Sequence, residues 1–240
     1  MARTLLDLIQ QAADEIGIPQ PSAIIGQVDD QSRQLLALAN REGKDFSIMA
    51  NSRGGWQNLH KEHTFTTVSG TPDYALPSDF EYFVQRTFWD GNMLWELVGP
   101  ITAQEKQILR YGSVTSGPRR KFYVRENRMY LEPEPTTTGD TIAFDYYSNA
   151  WCQSSAGDAQ TRWLDDTDTY KLDEDCFIQG MKWRFLRAKG LDYGEEKKAY
   201  DEDCIRVLSR DGGARDLSIV RNEGVPFISM ANVPDAGYGE

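Results

Sequence analysis

Hydrophobic positions recur with a helical period at both ends of this chain and with a period of two in its middle. Leu5, Leu6, Leu8, Ile9, Ala12, Ala13 and Ile16 follow helical spacing, and Gly17, Pro19 and Pro21 stop the run. Asp29 or Asp30 is placed to cap a second helix with the apolar stripe Val28, Leu35, Leu38, Ala39, Phe46 and Met49, interrupted by Gly43 and closed by SRGGW. From His63 the period changes. HTFTTVSG is β-branched and aromatic, TPDYALPSDF is a turn-rich connector, and EYFVQRTFWDGNMLWELV predicts two strands about an Asp90-Gly91 turn. A short helix over 102–111 precedes RKFYVRENRMYLEPEP, two more strands about Glu126-Asn127, and DTIAFDYYSNA brings the set to at least five.

A Gly/Ser/Asp linker over 154–158 returns the chain to helix. Asp173, Glu174 and Asp175 crowd the start of a segment carrying Phe177, Met181, Trp183, Phe185 and Leu186, with Lys182, Arg184, Arg187 and Lys189 in its later turns, as the helix dipole favours. A second helix follows, with Asp192 and Glu195 spaced as a capping box and Gly212-Gly213 as the stop, so the two predict a hairpin. The remaining stretch, ARDLSIVRNEGVPFISMANVPDAGYGE, has no helical period yet carries several large apolar residues, which suits a segment that orders on a partner. The predicted fold is α+β: a helical bundle from the N- and C-terminal segments, a central antiparallel β domain of sandwich or barrel-like form, and an extended C-terminal arm. Its parts are 1–62 (N-terminal helices), 63–150 (β domain), 151–213 (helical hairpin packing on the N-terminal helices) and 214–240 (arm).

Size and composition allow a real core: 240 residues, 40% hydrophobic, with six Trp, eleven Tyr and ten Phe. Apolar runs fall well short of the roughly 20 residues that span a bilayer, and acids and glutamines come too early for a signal peptide, so a chain made in the cytoplasm and free of membranes is expected. Cys152, Cys176 and Cys204 form neither a disulfide framework nor a metal pair. The 26 basic and 37 acidic side chains leave a formal charge of −11, which argues against a surface that grips nucleic acid through its phosphates.

No pattern of catalytic or metal-ligating residues stands out. His60 and His63 lack the His-Glu-x-x-His spacing, and no third ligand converges on them. The acid-rich WLDDTDTYKLDED lacks the glycine and terminal glutamate of a calcium loop and reads as capping and solubility. No Gly-x-Ser-x-Gly elbow, phosphate loop or dinucleotide fingerprint occurs. The expectation is a non-enzyme with no catalytic residue, cofactor or metal. RRKFYVRENR is the one basic island; it admits a strand with charged outward positions, a contact to phosphate or single-stranded nucleic acid, or a contact to an acidic neighbouring subunit. In the DYALPSDF corner, Pro72 and Pro77 fix φ while Tyr74, Leu76 and Phe80 pin the loop; Phe80, Tyr82 and Phe83 divide between core and interface.

The order of parts, together with DYALPSDF, WELVGP, GPRRKFYVRENRMYLEPEP, FDYYSNA and the closing FIQGMKWRFLRAKGLDYGEEKKAYDE, resembles the head-to-tail adaptor proteins of tailed bacteriophages, the podovirus tail-tubular-A-like and head-completion adaptors in particular. That resemblance implies a structural virion protein of the neck or tail. It implies a homo-oligomeric ring, usually of twelve copies, beneath the portal protein, with a tail tube or nozzle protein below and DNA passing through the channel without sequence-specific binding. It also implies a C-terminal arm reaching into the portal, where Leu217, Ile219, Val220, Val225, Phe227, Ile228 and Met230 would form the interface. Phe80, Tyr82, Arg119, Arg120, Lys121, Arg125 and Arg128 are then candidates for subunit or tail contact. The rival readings are another neck or tail-tube component and, from a different class, a cytoplasmic hydrolase or sugar-binding β module.

Overall fold

Thr4 opens α1 (Leu5–Ile16) with a reciprocal capping box: its hydroxyl accepts from the Asp7 N–H at 3.2 Å and the Asp7 carboxylate accepts from the Thr4 N–H at 3.0 Å. The computed structural model describes residues 3–53, 55–111 and 120–212. Asp29 caps α2 (Asp30–Met49) by accepting from the Ser32 N–H at 2.8 Å. Val28 lies outside the helix and is 83% exposed, so it does not belong to the buried stripe. Gly43 does not break the helix. The Trp151 ring occupies the space a Cβ would need there, and glycine is what lets α2 close on it.

Short 3₁₀ turns over 50–53 and 57–59 lead into the β part, which begins at His60. Its strands are β1 (His60–Thr66), β2 (Asp73–Ala75), β3 (Phe80–Phe83), β4 (Trp89–Asp90), β5 (Trp95–Glu96), then, after α3 (Ala103–Tyr111), β6 (Lys121–Arg125), β7 (Arg128–Glu132) and β8 (Thr141–Ser148). β8 is the spine of the larger sheet. It pairs over Thr141–Tyr147 with β1 on one edge, and on the other with β4 near its start and β3 near its end; β5 extends the sheet beyond β4. The smaller sheet runs β2-β7-β6, and its β6–β7 turn places Glu126 and Asn127 at φ of 53° and 58°, the primed-turn geometry that matches strand twist. Both sheets are antiparallel, and they do not close into a barrel. Phe122, Met129 and Leu131 from the smaller sheet meet Ile142, Phe144 and Tyr146 of β8 in one buried cluster.

Residues 151–172 are more than a linker. They carry a three-stranded sheet of β9 (Cys152–Gln153), β10 (Ala159–Gln160) and β11 (Thr169–Tyr170), and Trp151, Trp163 and Tyr170 go into the helical core. Leu5 and Leu6 N–H groups donate to the carbonyls of Asp168 and Asp166, which ties α1 to this segment. Asp173 then caps α4 (Glu174–Ala188) through the Cys176 N–H. The Asp192–Glu195 capping box does not form: α5 (Gly194–Asp211) has Tyr193 at its N-cap without a side-chain bond, and Asp192 accepts instead from the Gly194 N–H. α4 packs on α1, α2 and α5.

A buried charge joins three of these helices. The fully buried Glu42 of α2 accepts from Arg184 of α4 at 2.5 Å and from the Tyr200 hydroxyl of α5 at 2.7 Å. Burial pushes its carboxyl above the ordinary carboxylate value, and Arg184 and Tyr200 pull against that. A side chain at Gly180 would collide with this carboxylate, so glycine in α4 makes the approach possible.

At an exposed helical site Gly→Ala would stabilise by about 1 kcal/mol. Gly43→Ala is expected to destabilise by about 1–3 kcal/mol, because the added methyl meets the Trp151 ring. Urea unfolding reads the sign directly, and a stabilised variant contradicts the packing.

Candidate interaction surface

The DYALPSDF corner is held by one carboxylate. Asp79, at the entry to β3, accepts from Lys61 of β1 at 2.6 Å and from Tyr146 and Ser148 of β8 at 3.0 and 2.7 Å, while its carbonyl accepts from the Asn149 N–H. Burial alone would raise this carboxyl, but the hydrogen bonds from Lys61, Ser148 and Tyr146 outweigh it and hold it down at about 2. Phe80 packs half-buried against Phe83 and Tyr146. Tyr82 turns the other way, toward the helical core, and stacks on Tyr147 with ring centres 4.9 Å apart. Burial raises its hydroxyl to about 12, and its oxygen is buried without a hydrogen-bond partner among the described residues.

The basic island is divided. Arg120 is 13% exposed, with one guanidinium nitrogen 2.9 Å from Asp90 and another 2.6 Å from Asp140, so both arms are engaged inside the β part. Hydrogen bonds from Thr137 and then Arg120 hold the Asp140 carboxyl below its usual range. Lys121 is half-buried on β6; Arg125 pairs with Glu126 and Arg128 with Asp73 at the exposed hairpin. Tyr123 and Tyr130 stack nearly parallel on that hairpin, with the Lys106 ammonium 4.3 Å above Tyr123. The structure thus sets Lys121, Arg125 and Arg128 on one hairpin and turns Arg120, Phe80 and Tyr82 inward. Arg119 and the seven C-terminal positions from Leu217 to Met230 lie outside the described residues.

His60 and His63 do not converge: they are three apart on a strand and so face opposite ways, His60 beside Asp145 and Tyr147, His63 against Phe144. Burial lowers the His63 imidazole below its ordinary value. Among the described residues no three His, Cys, Asp or Glu side chains come together as a metal would need. The carboxylates of the acid-rich loop turn to backbone N–H groups, Asp166 to those of Ile24 and Ile25, Asp168 to those of Leu164 and Asp165.

Two features escape sequence reasoning. One is the exposure of the tip of the β4–β5 hairpin, where Trp89, Met93, Leu94 and Trp95 are 44–75% exposed. The other is a cavity of about 340 Å³ where the C-terminal end of α2 meets β3 and the end of β8. Ile48, Trp56, Tyr82, Tyr147 and Asn149 line it, with Lys44 and Glu81 as its charged members.

The chain matches the family profile described as SU10 adaptor protein over residues 3–215. The chain belongs to the SU10 adaptor protein family. That places it as a structural adaptor of the bacteriophage particle, in line with the resemblance seen in the sequence. A search of curated proteins returns no match. No helix among the described residues of this adaptor is long and apolar enough to cross a membrane.

The lowered Asp79 carboxyl contributes stability that is present above the unfolded carboxylate value near 4 and is lost as pH falls toward about 2. Allowing for solvent screening, that is about 1 kcal/mol. Acid unfolding followed by tryptophan fluorescence should show a shallower stability loss over this window in Asp79→Asn than in the parent; identical slopes rule the contribution out. Arg120→Met leaves two buried carboxylates without their counter-charge and is expected to cost about 3 kcal/mol in urea unfolding, whereas a surface arginine costs under about 1.

Proposed function

We propose that this adaptor forms a ring, of twelve copies as the resemblance implies, docked beneath the portal and leading to a tail tube or nozzle protein, with DNA passing through its channel. The family membership over residues 3–215 is the observation that carries this reading. The physical properties support it. A ring of identical copies needs complementary non-identical faces on one chain, and this chain has an exposed apolar hairpin and a recessed cavity of mixed polar and aromatic lining. A conduit for DNA must avoid gripping it, and a formal charge of −11 favours sliding over retention. The apolar residues of the C-terminal arm, Leu217, Ile219, Val220, Val225, Phe227, Ile228 and Met230, are assigned to the portal contact, in keeping with a segment that orders on its partner.

The test is the mass in solution of the full chain, alone and mixed with the portal protein of the same phage. A discrete ring-sized species, formed alone or only with portal, is expected; a monomer in both conditions overturns the reading. Deleting residues 215–240 should preserve the circular dichroism and cooperative unfolding of the fold and abolish portal binding. Unchanged portal affinity removes the arm from docking.

A further inference from the structure

Leu94 is an odd residue for its position. It lies at φ 55°, a region that favours Gly, Asn and Asp over a branched aliphatic, and its side chain is 75% exposed. The hairpin beneath it is nonetheless rigidly held. Buried Asp90 accepts from the N–H groups of Asn92 and Met93 and from Arg120, Gly91 donates to the Thr141 carbonyl, and Asn92 accepts from the Thr141 N–H. A fixed scaffold therefore presents Met93, Leu94 and Trp95 to solvent, the kind of pre-organised apolar anchor that interfaces use.

The cavity at the other end of β8 has the opposite shape and an unmet need. The hydroxyl oxygen of Tyr82 and the Oδ1 of Asn149 are buried and without a hydrogen-bond partner among the described residues, which is costly. Knob and hole cannot serve each other within one chain. β4 pairs with Ile142 and Ala143, whereas Tyr147, Ser148 and Asn149 line the cavity; the six residue steps from Ile142 to Ser148 span about 20 Å of strand.

We propose that the Met93–Leu94–Trp95 knob of one copy seats in the Tyr82–Asn149 cavity of the next. This names the subunit contact of the ring proposed above and rests on that reading. The chemistry matches on two counts. The knob is apolar and aromatic, and at the cavity mouth Ile48, 42% exposed, and the half-buried Tyr82 ring offer apolar surface within a lining that is otherwise more polar than apolar. Charge bears on the fit as well: Glu96, next to the knob, and Lys44, which shares the cavity wall with Glu81, have no ion pair among the described residues, and the contact pairs Glu96 with Lys44. A knob on one face and a hole on another make a heterologous contact, which propagates head to tail and closes a ring when the rotation allows.

Self-association of the full chain, alone and with the portal protein, measured by sedimentation, tests the contact. Leu94→Asp should keep the fold, since Asp tolerates this backbone region better than Leu, and should weaken self-association by about tenfold or more. Ile48→Glu, at the cavity rim, should do the same. Mixing the two variants is the decisive arm: each retains one good face, so they should form a discrete heterodimer and nothing larger. Glu96→Lys and Lys44→Glu should each weaken assembly, and the double variant should recover it. Rings of undiminished affinity from both single variants overturn the knob contact while leaving the ring reading intact. A parent chain that stays monomeric under both conditions overturns both.

Discussion

Glu42 is the constraint on which the helical half depends. A carboxylate with no solvent exposure is tolerable only because Arg184 and Tyr200 reach it from two other helices, and because Gly180 leaves room for it. Such a charge adds little net stability over a well-packed apolar residue, but it penalises every arrangement in which α2, α4 and α5 are out of register. The neighbouring Gly43, pressed against Trp151, enforces the same registry through shape. Polar satisfaction and close packing thus specify one alignment of the bundle.

The β half uses the same device in two places. Asp79 gathers Lys61, Tyr146 and Ser148 at one end of β8, and Arg120 bridges Asp90 and Asp140 at the other. Each fixes a loop whose side chains face outward or into the cavity. The segments available for contact are therefore fixed by ionic hubs rather than by the hydrophobic clusters beneath them, and binding through them costs little ordering entropy.

Much of the fold was legible because local chemistry and pattern agreed. The caps at Asp29 and Asp173, the helical stripe of α1 and the Glu126-Asn127 turn all express interactions between residues close in sequence. Residues 151–172 were not legible, since two-residue strands show no period and Trp163 and Tyr170 sit among acids that suggest a solvated loop. The hubs were hidden for a related reason: Glu42 and Arg184 are 142 positions apart, and nothing local marks either as buried. The β4–β5 hairpin was legible from its Asp90-Gly91 turn, but the exposure of its large apolar side chains was not, since it follows from β5 being a two-residue edge with no strand beyond it among the described residues. The candidate contact residues were the least legible part, as Arg120 illustrates: its basic neighbours suggest a surface, and its two carboxylate partners lie in other segments.

β8 belongs to both halves at once. Ile142, Phe144 and Tyr146 enter the β cluster, while Tyr147 enters the helical one, and the strand is hydrogen-bonded on both edges. Its consequence is mechanical. A pull applied at the β half reaches the helices along the axis of a strand whose cross-links are loaded together, in shear, instead of being peeled one after another. A part that stands between two larger bodies would transmit strain through such a member as a tie-rod does, without a hinge between its halves.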